Sequence, residues 1–215
     1  MGYIIGVGQQ KGGVGKSTTC RALATEYARA GWTVKIGDMD LEQLTCVKWQ
    51  QLRLTNNISP TVAVEPFGTV DQALKAADYN DLLILDGGAK ASQKTVEIAQ
   101  ASDLFIIPTG LTLDDLTPAV LMAHNLVKKH HVPMDKIAFG LCRASNSKAA
   151  FDAAHDYLEK TGFYILDGAV EEKQSYADAH NQGKSICEAA HKSVKEKAGV
   201  YVQSIVDRLT TLTDK

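Results

Sequence analysis

Two unbroken apolar runs, Leu82–Asp86 (LLILD) and Leu104–Pro108 (LFIIP), constrain the fold of these 215 residues more than any other feature. A strand with one face in water alternates apolar and polar residues, whereas a continuous run belongs to a strand covered on both faces. Further apolar segments lie at Tyr3–Gly8, Thr33–Gly37, Thr61–Pro66, Ile137–Cys142 and Phe163–Leu166. Stretches of helical pattern separate them at Ser17–Ala30, Gln43–Leu54, Leu113–His130 and Ser147–Thr161. Strands alternating with helices predict βαβ units, hence an α/β fold with a mostly parallel twisted sheet and helices on both faces. Val194, Ala198, Val202, Ile205, Leu209 and Leu212 recur at helical spacing and predict a last helix packed on that sheet. A membrane-surface helix is the alternative, and Asp207 and Asp214 on its polar face weigh against it.

Composition removes other classes. The chain is 45% hydrophobic and 22% charged, as expected of a globular protein and not of a disordered or fibrous one. Mean hydropathy is −0.13, and no run approaches the roughly eighteen apolar residues of a spanning helix. No linker or repeat interrupts residues 1–215, which read as one domain without a secretory leader. After Met1-Gly2, Gly6 stands where an acylation motif wants Ser or Thr. Twenty-three Lys+Arg against 25 Asp+Glu leave a net charge of −2, so any contact with nucleic acid must use a local patch. Cys20, Cys46, Cys142 and Cys187 form no C-x-x-C pair and read as reduced thiols of a cytoplasmic protein. His124, His130, His131, His155, His180 and His191 lack metal-ligand spacing.

The segment Gln10-Lys11-Gly12-Gly13-Val14-Gly15-Lys16-Ser17-Thr18 carries the chemistry. It follows a strand and opens a helix, the context of a phosphate-binding loop. Glycines let successive backbone N–H groups turn inward around a polyphosphate, and the helix adds its positive end. Lys16 can lie against the β- and γ-phosphates, and the Ser17 hydroxyl suits Mg²⁺, which prefers hard oxygen ligands. Gln10 stands where the standard loop has its first glycine, and Lys11 is a second lysine whose like charge is costly unless phosphate neutralises both. At the carboxyl ends of parallel strands, facing the ligand crevice, Asp86 closes LLILD and Asp38 and Asp40 follow TVKIG. Asp86 suits an Mg²⁺ held through water.

Lys11–Thr18 resembles the deviant Walker A motif, KGGxGK[ST], of the ParA/MinD superfamily, and the chain as a whole is most similar to small plasmid-type ParA partition proteins. That family has the single-domain P-loop NTPase fold. The resemblance implies ATP and Mg²⁺ as cofactors, with Gly12, Gly13, Val14, Gly15, Lys16, Ser17 and Thr18 cradling the phosphates. It implies that Lys11 reaches across a dimer interface to the partner's nucleotide. It matches Asp40 to the aspartate that orients the attacking water, places Asp38 near the metal beside Ser17 and Asp86, and puts Arg143 near the adenine. Trp49 and the stretch from Pro108 to Asp115-Leu116 resemble further family segments. Three departures stand out: Leu41-Glu42-Gln43 replaces Pro-Gln after Asp40, Gly87-Gly88-Ala89 follows Asp86, and Cys142 replaces an Asn before Arg143. No N-K-x-D element is present to read guanine.

The implied activity is that of a slow ATPase and dimerising switch, stimulated by a ParB-like or adaptor protein. It would partition plasmid or chromosomal DNA, or position another cargo, from a nucleoid-associated location. With the loop beginning at residue 11 there is no preceding DNA-reading module, so binding to DNA is expected to be non-specific. Lys173, Lys184, Lys192, Lys195 and Lys197 are the candidate phosphate contacts, against the alternative of a solvated face interleaved with Glu188 and Glu196. Three other readings stay open: a MinD-like membrane-associated positioning ATPase, an iron–sulfur carrier of the Mrp or nitrogenase-iron-protein type, and a carboxylate-phosphorylating ligase.

Overall fold

The computed structural model describes residues 2–89, 93–145 and 147–214. Strand β1 (Tyr3–Val7) is central, with α1 (Lys16–Arg29) following it. Then come β2 (Val34–Asp38), α2 (Thr45–Thr55), β3 (Ala63–Pro66), α3 (Val70–Ala77), β4 (Leu82–Asp86) and α4 (Gln93–Ala101). The chain continues through β5 (Leu104–Thr109), α5 (Leu113–His130), β6 (Ile137–Ala144), α6 (Lys148–Glu159), β7 (Tyr164–Ile165), β8 (Val170–Glu171), α7 (Gln174–His180) and α8 (Lys192–Thr213). The strand order is β3-β2-β4-β1-β5-β6-β7, with β8 paired to the far end of β6, and the pairings are parallel.

The unbroken apolar runs are explained by the layers. Leu82, Ile84, Leu104 and Ile106 enter the core under α1, α2, α7 and α8, where Leu23, Trp49, Tyr176 and Tyr201 are buried. Leu83, Leu85, Phe105 and Ile107 point the other way, into a second core with Ala73, Ile98, Leu116 and Leu158 of α3 to α6. Successive side chains alternate between faces, and both faces are dry, so no polar residue can be placed without cost. The predicted C-terminal helix packs as expected: Ala198, Val202, Ile205 and Leu209 are buried. The short helices α3 and α4 were not read from the sequence; at eight and nine residues they give a pattern too brief to stand out.

Helix α2 is clamped to the C-terminal segment from below. Arg53 is fully buried, donating to Glu188 Oε2 at 2.7 Å and Oε1 at 3.0 Å, to the Pro60 carbonyl at 2.9 Å and to the Gly183 carbonyl at 3.1 Å. Trp49 Nε1 donates to the Lys184 carbonyl at 3.0 Å, and the guanidinium groups of Arg21 and Arg53 lie over its ring, 5.7 and 5.4 Å from the centroid. Trp49 is thus an anchor of the helix that follows the acidic loop.

Candidate nucleotide-binding site

Parallel strands deliver Val7, Asp38 and Asp86 to one edge of the sheet. Asp38 and Asp86 are register partners on β2 and β4, and Asp86 is also in register with Val7, where the glycine turn begins. In that turn Gly13 and Gly15 hold φ of 73° and 100°, in the left-handed region that glycine tolerates best. A Cβ at Gly15 would also meet Cys142 Sγ at 2.9 Å, so the turn is closed off from behind. The first-turn N–H groups of α1 follow an N-cap, Gly15, that offers no side-chain cap, and free N–H groups at a helix start are an anion-binding arrangement.

Above the turn lies a cavity of about 620 Å³ lined by Gly12, Gly13, Gly15, Lys16, Ser17, Thr18, Asp40, Asp86 and Arg143, among others. Lys16 is buried, and its Nζ donates to the Lys11 carbonyl at 3.0 Å. Desolvation lowers its pKa from the ordinary lysine value, against the pull of the Asp86 carboxylate. Val14 is buried, while Arg143 is exposed at the cavity mouth with a φ of 54°.

The three carboxylates differ in their work. Asp38 Oδ1 accepts from the Asp40 N–H at 3.2 Å, and Oδ2 accepts from Cys46 at 2.9 Å and Val47 at 3.2 Å. Asp38 therefore ties the acidic loop and the start of α2 to the sheet edge. Burial raises its pKa, and these backbone donors oppose the rise. Asp40 folds its own loop: Oδ1 accepts from Glu42 at 3.2 Å and Gln43 at 3.1 Å, and a Cβ at Gly88 would lie 3.5 Å from Oδ2. Asp86 is almost fully buried, with burial raising its pKa against the Ser17 hydroxyl and Cys46 thiol. Cys46 Sγ donates to Asp86 Oδ2 at 3.1 Å, whereas Oδ1 has no hydrogen-bond partner among the described residues. A buried carboxylate oxygen left bare beside a serine hydroxyl is the kind of hard-oxygen set that fits Mg²⁺.

Lys11 forms an ion pair with Asp115 in the first turn of α5, and Asp115 Oδ2 accepts from the Thr112 hydroxyl at 3.1 Å. Sequence reasoning noted Asp115 without seeing that it holds Lys11. It also missed the role of Cys46, because a lone buried thiol in the first turn of a helix leaves no pattern to read. All four cysteines are free and buried; burial pushes the Cys142 and Cys187 thiols up to about 12 and raises the Cys20 and Cys46 thiols well above their ordinary value.

The candidate DNA lysines are dispersed and partly neutralised. Lys173 and Lys197 both pair with Glu171, at 3.5 and 2.7 Å, and Lys192 lies 3.8 Å from Glu196. Lys184 Nζ donates to Gln182 at 2.9 Å, and Lys192, Lys195 and Lys197 are exposed along the first turns of α8. Among the described residues, the one cluster with metal-ligand spacing is His155, Asp156 and Glu159 on α6, far in sequence from the loop.

A parallel sheet whose first strand feeds a glycine turn, a buried lysine and a helix, beside carboxylates on neighbouring strand ends, defines a P-loop nucleotide-binding protein. The chain belongs to the CobQ/CobB/MinD/ParA nucleotide binding domain family, whose model matches residues 5–186. Among solved structures it is similar to a plasmid-partition-type protein of Borrelia burgdorferi B31 bound to AMPPNP, at 16% identity and a TM-score of 0.73, covering 97% of this chain and 100% of that one. It is similar to apo McdA of Cyanothece, at 16% identity and a TM-score of 0.74, covering 96% and 100%. It is also similar to MinD of Pyrococcus horikoshii OT3 complexed with Mg-ADP, at 16% identity and a TM-score of 0.69, covering 98% of each chain. No curated protein matches in sequence. Among the described residues no helix is long and apolar enough to cross a membrane.

Proposed function

We propose that the protein is an ATP-dependent dimerising switch of ParA type, hydrolysing ATP slowly while bound to DNA without sequence preference. One observation carries the reading. The Lys11 side chain is not spent on its own phosphate cradle: its carbonyl holds Lys16, while its ammonium lies outside the turn against Asp115. A lysine so placed can exchange its carboxylate for the phosphates of a second subunit's nucleotide. A switch of this kind acts by being read before it hydrolyses, so slow turnover and a stimulating adaptor protein follow from the same reading.

The residues then divide the work. Backbone N–H groups of residues 12–18 and Lys16 bind the phosphates, and Arg143, on the cavity lining, would contact the base. Ser17 and Asp86 would hold Mg²⁺, which when bound neutralises phosphate charge. Asp40 holds the attacking water, and Asp38 acts through the loop that it fastens. Lys192, Lys195 and Lys197 with Lys173 and Lys184 offer cations to DNA phosphates once two subunits bring two such faces together.

Fluorescence anisotropy on a random-sequence duplex, with a slowly hydrolysed ATP analogue, tests the DNA arm. Binding should need the triphosphate and fall steeply with salt, and Lys192→Glu with Lys195→Glu should weaken it and flatten the salt slope by about 1 to 2. Affinity and slope unchanged in that double variant would remove this patch from the reading.

A further inference from the structure

Cys46 touches both strand-end carboxylates. Its backbone N–H donates to Asp38 Oδ2 at 2.9 Å, and its thiol donates to Asp86 Oδ2 at 3.1 Å. It is the second residue of α2, reached directly from the acidic loop, and its side chain is fully buried. The Asp86 oxygen that the thiol does not occupy, Oδ1, is buried and without a hydrogen-bond partner among the described residues. Ser17 lies at the same junction, its carbonyl 4.0 Å from Cys46 Sγ.

We infer that the Cys46 thiol is a positioning group for Asp86: it ties down one carboxylate oxygen, fixes the rotation of the group, and leaves the other oxygen as the acceptor on the metal side. This rests on the nucleotide and metal reading above. A carboxylate with one oxygen pinned presents a single defined acceptor, whereas an unpinned one rotates, and partners that orient ligand groups in this way are commonly worth 10- to 100-fold in metal affinity. The same residue makes the pin conditional. Thiol and N–H move together, so lifting the start of α2 away from the sheet edge would release Asp38 and Asp86 at once. The acidic loop and the metal-side carboxylate are thereby joined through one residue, although they lie on different strands.

The alternative role for Cys46 is packing alone, since free cysteine is among the most often buried residues. Ala and Ser separate the two roles, because they have nearly the same size and differ in the donor. The measurement is the affinity for a fluorescent ATP analogue in Mg²⁺ divided by that in EDTA, with the Mg²⁺ concentration giving half of the gain. In Cys46→Ala the half-saturating Mg²⁺ should rise about ten-fold and the affinity ratio should fall accordingly. In Cys46→Ser both should stay within about two-fold of the parent. Should Cys46→Ala fail to fold, Cys46→Val, which fills the site without a donor, is expected to behave as the alanine variant would. Ala and Ser shifting together, or neither shifting, overturns the inference while the parent's Mg²⁺ dependence stands. A parent whose nucleotide affinity ignores Mg²⁺ overturns the metal reading and this inference with it.

Discussion

Lys11, in the turn after β1, is ion-paired to Asp115 of its own chain, in the first turn of the helix that follows the neighbouring strand β5. Half of the lysine is in water: its side chain is 44% exposed against 9% for the aspartate. An ion pair with one exposed partner is worth little, about 1 kcal/mol or less, so it is weak enough for a polyphosphate to displace. Asp115→Asn should therefore lower the thermal midpoint by no more than about 4 °C in differential scanning fluorimetry. A drop well beyond that would make the pair a structural fastening that nucleotide could not open.

Lys16 and Asp40 should separate binding from turnover. Lys16→Ala removes the buried ammonium that faces the phosphates and should leave no measurable nucleotide binding by calorimetry. Asp40→Ala keeps the turn, Lys16 and Ser17, so ATP should still bind. Losing the group that holds the water should cut single-turnover phosphate release at least about 100-fold, at the low end for a general base. An Asp40→Ala protein that releases phosphate at the parent rate would move the water-holding role elsewhere.

His180 supplies a pH dependence. Burial, helped by the Arg21 charge, lowers its pKa from 6.5 to about 4, so the folded protein holds it neutral. The unfolded chain takes up that proton near pH 6.5 and the folded chain only near 4. Burial of the neutral ring costs nothing from protonation above the upper value, and stability drains away as pH falls through that window, by about 3 kcal/mol at most. Urea unfolding at pH 7 and pH 5 should show a smaller loss in His180→Gln than in the parent. Equal losses would mean that the imidazole is not shielded as the structure places it.

Much of this architecture is legible without coordinates. Leu82–Asp86 and Leu113–His130 are bounded in the structure as their apolar pattern predicts, because long continuous patterns leave little freedom. The turn from Gly12 to Ser17 is legible because glycines, a lysine and a hydroxyl in that order serve few purposes besides phosphate. Asp38 is different. It lies at the carboxyl end of β2, and its carboxylate accepts from the N–H groups of Asp40, Cys46 and Val47. Sequence pattern locates a carboxylate and says nothing of which donors claim it. The Lys11–Asp115 pair and the Cys46–Asp86 contact join residues far apart in the chain with no periodicity to betray them, and the same holds for Arg53 and Glu188.

That last pair sets the stability of the helix carrying Cys46 and Trp49. Removing Arg53 leaves the Glu188 carboxylate with the half-exposed Arg29 guanidinium at 3.5 Å and the Ser185 N–H at 2.8 Å, so the cost lies toward the lower end of the about 3 to 5 kcal/mol of breaking a buried pair. Arg53→Met should lower the thermal midpoint by about 6 °C or more, and it should do so with or without nucleotide. A midpoint within about 2 °C of the parent would show that water reaches Glu188 and that the clamp is not sealed.

The central claim is that Lys11 joins two subunits through their nucleotides. Lys11→Ala removes the ammonium and keeps the carbonyl that holds Lys16, so each subunit's own cradle is preserved. Light scattering coupled to size-exclusion chromatography, with ADP and with a slowly hydrolysed ATP analogue, reads the consequence. The parent should run at the 23.2 kDa monomer mass with ADP and at twice that mass with the analogue, while Lys11→Ala stays at the monomer mass in both. A parent that remains monomeric with the triphosphate, or a Lys11→Ala protein that dimerises as the parent does, would contradict the account.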